Sequence, residues 1–128
     1  MRQIDGDAEA AIPELERVLQ GIDVLAKIRA ISTLGNIGSD RCVQLLEAAL
    51  GDASAEVRET AAKALESIGR SAHATTATLE RTLDDPSDPV RLATAVALWQ
   101  IAGAASLAAP VLIEMLKPNR PFKTIFDD

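Results

Sequence analysis

The sequence predicts an all-α fold built by repetition, and three observations carry that expectation. The first is composition: 48% of the 128 residues are hydrophobic, yet aromatics make up 2% and tyrosine is absent. Alanine and leucine dominate the apolar share; they are the best helix formers, and small alanines let helices approach closely. A β-sheet would draw on Val, Ile, Thr, Tyr and Phe instead. The second is periodicity: Ile12, Leu15 and Leu19, like Val43, Leu46 and Leu50, are spaced three and four apart, which places them on one helix face.

The third is internal self-similarity. Moving Glu56-Val57-Arg58 forward by 33 residues lands on Pro89-Val90-Arg91, with Ala95 on Ala62, Ala97-Leu98 on Ala64-Leu65 and Ile101 on Ile68. Moving back by 31 lands Ala26-Lys27 on Val57-Arg58, Ala30-Ile31 on Ala61-Ala62, Leu34 on Leu65 and Ile37-Gly38 on Ile68-Gly69. The preceding halves follow the same shifts. Ile12, Leu15 and Leu19 match Val43, Leu46 and Leu50, then Thr76, Leu79 and Leu83, then Ala109, Leu112 and Leu116. Each unit is therefore a first helix, a turn and a second helix.

Taken in order, the first helices are expected near 8–20, 39–50, 72–84 and 105–117, and the second near 24–37, 55–69 and 88–102. One domain covers 1–128, with repeats at about 8–38, 39–69, 70–103 and 104–128, the last incomplete. The turns carry the punctuation. Ser54 and Asp88 are expected N-caps, Pro89 suits a first helical turn, and Gly38 and Gly69 stand where a helix stops in left-handed backbone. After Leu116, Pro118 and Pro121 prevent an immediate second helix, and the tail holds both phenylalanines, Phe122 and Phe126.

The charge balance narrows the function classes. Net charge is −6, and the basic residues are scattered from Arg2 to Lys123 without forming a stripe. Nucleic-acid binding needs clustered cations to displace counterions, so neither DNA nor RNA is expected. Anionic membranes are disfavoured for the same reason. No charge occurs from Leu92 to Ile113, long enough on paper to cross a bilayer. Gln100, Gly103, Ser106 and Pro110 interrupt it, and the repeat register reads it as two helices meeting near Gly103. A single cysteine, Cys42, excludes an intrachain disulfide, and the first residues lack the apolar core of a signal peptide. A cytoplasmic setting follows as the expectation.

The block Asp52, Val57-Arg58, Ala61-Ala62, Ala64-Leu65, Ile68-Gly69 closely resembles the HEAT-like repeats of the phycobilisome-lyase group. The resemblance spans roughly residues 9–117, with the second unit near ideal and the third close behind. It implies a right-handed α-α superhelix of about four two-helix repeats, whose second helices line a concave side. It also implies a ladder in which Asp52, Arg58, Asp85 and Arg91 bridge adjoining turns. The first unit departs from the pattern, with Ala26-Lys27 for Val-Arg and Gly21 for the turn aspartate; there Asp23 with Arg29 is the substitute pair.

On that concave side the second repeat presents Glu59, Lys63 and Glu66. The third presents Leu92, Val96 and Trp99 at the equivalent positions, so three charged sites become an apolar ridge with the only tryptophan. An exposed ridge of this kind calls for a cover. Either Phe122, Ile125 and Phe126 fold back over it, or a protein partner docks with Trp99 as anchor, tryptophan being enriched at binding hot spots.

No catalytic constellation is expected. His73 is the only histidine, and a Cys42 nucleophile would need it as base. Asp84-Asp85 and Asp127-Asp128 read as solvated turn and tail positions, and the sequence calls for no cofactor or metal. The expected function is a protein-interaction scaffold. Two others stand beside it: an auxiliary subunit of a bilin (chromophore) lyase, which the resemblance permits, and a structural segment of a longer solenoid, with self-association through its ends.

Overall fold

A computed structural model describes residues 9–103, together with 110, 113 and 114. Six α-helices run through the described residues: α1 (Ile12–Leu19), α2 (Val24–Ile37), α3 (Asp40–Ala49), α4 (Ala55–Ile68), α5 (Thr76–Thr82) and α6 (Asp88–Ala102). A 3-10 segment, Gly69–Thr75, precedes α5, and no strand occurs among these residues. Helices pair as α1 with α2, α3 with α4 and α5 with α6, and the second helices α2, α4 and α6 pack in series. The chain is an all-α solenoid. The fourth unit's Ala109, Leu112 and Leu116, and the tail with Phe122, Ile125 and Phe126, lie outside the described residues.

The core sits between the two helix layers. Leu34, Leu65 and Leu98, which share one position of the repeat, are all fully buried, as are Ile31, Leu46, Val57, Leu79 and Val90. One helix pair cannot cover its own apolar face, so each unit's leucine is completed by the next unit along. Full burial of such a side chain is worth about 1.5–3 kcal/mol. Within this layer α2 and α4 approach closely: a Cβ added at Gly35 would lie 3.0 Å from that of Ala64. Two small residues set that spacing.

The helix ends follow local chemistry. Asp23, Ser39 and Ser54 cap α2, α3 and α4, accepting from the backbone N–H of Ala26, Cys42 and Val57 respectively. At α6 the cap position belongs to Ser87; Asp88 begins the helix proper, with Pro89 in its first turn, so Asp88 is not the cap. There Asp88 pairs one turn ahead with Arg91. Gly38 (φ 71°, ψ 17°) and Gly103 (φ 61°, ψ 26°) close α2 and α6 in left-handed backbone. Gly69 also has positive φ, 76°, but its ψ of −140° leads the chain into the 3-10 segment and not into a left-handed stop.

The third unit's first helix is thus shorter than periodicity suggests. Thr75 and Thr76 turn their hydroxyls back to donate to the carbonyls of Ala72 and His73, each at 2.7 Å. Such local bonds compete with helical ones, and β-branched residues resist helix formation. Apolar spacing at Thr76, Leu79 and Leu83 places the face correctly but does not register this competition.

Candidate protein-binding face

Three cations and two aspartates lock the units in register. Lys27 Nζ donates to Asp52 Oδ1 at 2.9 Å, from the first unit to the second. Arg58 forks onto Asp85, Nε to Oδ2 at 2.8 Å and Nη2 to Oδ1 at 3.1 Å, from the second unit to the third. Arg58 Nη1 also reaches back to the Asp52 carbonyl at 2.8 Å, and Arg91 Nη1 makes the same bond to the Asp85 carbonyl at 2.7 Å. Arg58 therefore straddles two turns, holding its own unit's backbone and the next unit's carboxylate, while Arg91 holds the turn of its own unit. Lys27 takes the ladder position in the first unit. Asp23 is occupied as the α2 cap, and Arg29 takes no part.

The ladder carboxylates titrate low. At Asp52 burial pushes the carboxyl up, but the Lys27 hydrogen bond, the Ser54 N–H and the charges of Lys27 and Arg58 together outweigh it and lower the pKa. At Asp85 burial is likewise outweighed, by the Arg58 hydrogen bond, the Ser87 N–H and the charges of Arg58 and Arg91. A carboxylate depressed in the folded state stabilises the fold above its unfolded pKa, near 3.9 for aspartate, and that stability fades as pH falls through the folded value. Ladder stability should therefore stay constant from about pH 7 to pH 5 and decline below about pH 4. In urea midpoints measured against pH, Asp52→Asn with Asp85→Asn should flatten that acid decline and lower the neutral plateau.

On the other side of the second helices, α4 and α6 enclose an open groove of about 430 Å³. Glu59, Lys63 and Glu66 form its α4 wall, and Leu92 and Val96 stand on the α6 wall with Asp88 and Pro89 at one end. Trp99 continues the Leu92–Val96 stripe one turn further along α6. Leu92 is 43% exposed and Trp99 48%, while Leu98 beside it is fully buried. Within the groove Lys63 bridges to Glu59 at 3.0 Å. Glu66 makes no ion pair or hydrogen bond with any described residue. A second, more polar groove runs between α2 and α4, lined by Ser32, Asn36, Thr60 and Ser67, and shares Lys63 with the first. The α4 ridge is thus a common rim between a polar trough and an apolar one.

The reactive side chains stay apart from this face. Cys42 is a fully buried free thiol in α3, receiving a hydrogen bond from Ser39 Oγ at 3.3 Å, whereas His73 is exposed in the 3-10 segment. Among the described residues no three His, Cys, Asp or Glu side chains gather as a metal site. Among the described residues no helix is long and apolar enough to cross a membrane; α6 ends at Ala102, within the uncharged run.

Stacked helix pairs, pinned by an aspartate–cation ladder, define an α-solenoid repeat protein. Residues 12–99 match the family model for HEAT repeats, well over half of the chain, and the chain belongs to that family. Such repeats commonly serve as protein-interaction scaffolds. No curated protein matches it.

Proposed function

We propose that this chain is a protein-interaction scaffold, holding its partner on the concave face of the second helices. Leu92, Val96 and Trp99 form the apolar contact, and Glu59, Lys63 and Glu66 form the charged rim. The observation that carries this reading is the half-exposure of Leu92 and Trp99 on a helix whose opposite face is fully buried. A repeat that merely stacks needs charged residues there, as α4 has; α6 instead offers a hydrophobic stripe bordered by a polar rim, the anatomy of an interface core.

Trp99→Ala separates binding from folding. Half of that side chain already meets solvent, so its loss should cost the isolated chain no more than about 1.5 kcal/mol in chemical denaturation. Affinity for a purified partner should drop at least about tenfold, as expected of an interfacial tryptophan. Retained affinity together with strong destabilisation would make the ridge core and remove the proposal's basis.

A second reading has its own observation. Ile22 is 96% exposed and Leu25 57% exposed, both at the first unit's turn. An end of that character suits a chain that stacks against a further unit, as a segment of a longer solenoid or by self-association. Concentration-dependent light scattering that Ile22→Asp abolishes would support it. The lyase-subunit reading rests on the resemblance to phycobilisome-lyase repeats alone. Bilins carry two propionates, which the Glu66 carboxylate would repel and for which the groove's Lys63 is already paired with Glu59; unchanged visible absorbance on adding bilin is the expected result. A reducing, cytoplasmic setting suits the free Cys42 thiol.

A further inference from the structure

We infer that the α4–α6 groove takes a basic amphipathic segment of a partner protein, its cationic side chain held between the Glu66 carboxylate and the Trp99 ring. The segment's apolar side chains lie along Leu92 and Val96. The inference rests on the binding face proposed above and supplies the chemistry of its occupant.

Charge complementarity selects that occupant. The groove lining holds three carboxylates, Glu59, Glu66 and Asp88, against one ammonium, Lys63. Glu59 is neutralised by Lys63, and Asp88 by Arg91. Among the described residues Glu66 is left as the groove's unmatched charge, aligned by the 33-residue register with Trp99 on the neighbouring helix. Directly packed helices have axes about 8–10 Å apart, a span that an arginine or lysine side chain bridges. A cation there would meet a carboxylate on one side and an aromatic face on the other, and tryptophan is the best of the cation-binding rings. An acidic segment or a nucleic acid would bring a like charge against Glu66 and gain nothing from the paired Glu59 and Asp88. The chain's net charge of −6 steers the same kind of partner from a distance.

The occupant's apolar residues should fall three or four positions from its cation, because the ridge itself has that spacing at Leu92, Val96 and Trp99. An amphipathic helix meets that requirement. The inference therefore specifies a pattern, Lys or Arg with apolar residues one turn away, and not merely a hydrophobic patch.

The test is selection of a random peptide library displayed on phage against the full chain and its Glu66→Gln, Glu66→Arg and Trp99→Ala variants, each checked for native helicity by circular dichroism. Wild type should enrich peptides with that basic-apolar pattern. Glu66→Gln should weaken those peptides about two- to fivefold, as expected for loss of one exposed charge contact, and added salt should weaken wild-type binding in the same direction. Glu66→Arg should lose them and enrich acidic peptides. Apolar peptides that ignore Glu66 yet fail on Trp99→Ala would overturn the inference while the binding face stands. Peptides indifferent to both positions, or no enrichment at all, would overturn the binding face and the inference together. Enrichment only on a chain carrying Phe122→Ala and Phe126→Ala would make the chain's own tail the occupant and contradict a partner.

Discussion

Leu65→Ala should lower the unfolding free energy by about 3–4 kcal/mol, within the range for deleting a buried leucine side chain. Domains of this kind are stable by only about 5–15 kcal/mol, so the variant should be close to half-unfolded at moderate urea. The size of the effect comes from position. Leu65 is fully buried on α4, which among the described second helices is flanked on both sides, by α2 and by α6. Its loss opens a cavity that two neighbouring units share, and closely packed helices held by Gly35 and Ala64 cannot collapse into it easily. Leu25→Ala, at a 57% exposed site, should shift stability by less than about 0.5 kcal/mol. A single cooperative transition with a lowered midpoint and unchanged slope is the expected urea curve.

Asp85→Ala should be the second large loss, at about 2–3 kcal/mol. The substitution removes both acceptors of the Arg58 fork and the acceptor of the Ser87 N–H. It leaves a guanidinium whose side chain is only 15% exposed without its carboxylate. Breaking a fully buried pair costs about 3–5 kcal/mol, and the partial exposure here places the expectation below that. The control is Glu14→Ala, whose pair with Arg17 is exposed on both sides and should contribute nothing measurable. Asp85→Asn keeps an acceptor for Ser87 and should lose less than Asp85→Ala. A double-mutant cycle between Arg58 and Asp85 should return a coupling of about 1–2 kcal/mol.

The two losses differ in what they report. Leu65 measures the shared apolar core, on which stacking depends. Asp85 measures register, the device that fixes one unit's rotation against the next. Both act between units, which is why a two-helix unit should not fold alone.

Much of this was legible in the chain itself. The shifts of 31 and 33 residues placed Leu34, Leu65 and Leu98 at equivalent sites, and the structure buries all three. The same shifts picked out Leu92, Val96 and Trp99 as the replacements for Glu59, Lys63 and Glu66. The register also held the answer for the first unit, since Lys27 falls on Arg58. Favouring an aspartate–arginine pair by residue type drew attention to Asp23 and Arg29 instead. A lysine serves because the ladder needs a cation of adequate reach at that site, and Asp23 is already committed to capping α2.

What stayed hidden depends on three-dimensional competition. The 3-10 segment before α5 lies where Thr75 and Thr76 bond back to the carbonyls three residues earlier, and apolar spacing is blind to that local geometry. The Ser87 cap was masked by the stronger-looking Asp88 beside it. The joining of the α4 and α6 stripes into one groove follows from how closely the helices pack, and no spacing along one helix contains that distance.

Fluorescence of Trp99 in the free 128-residue chain tests the central claim most directly, because this sequence has one tryptophan and no tyrosine. With the α6 ridge open to a partner, emission should be red-shifted and readily quenched by acrylamide and iodide. Blue-shifted emission shielded from both quenchers in the monomeric chain would mean that the ridge is already covered, and would contradict a protein-binding face there.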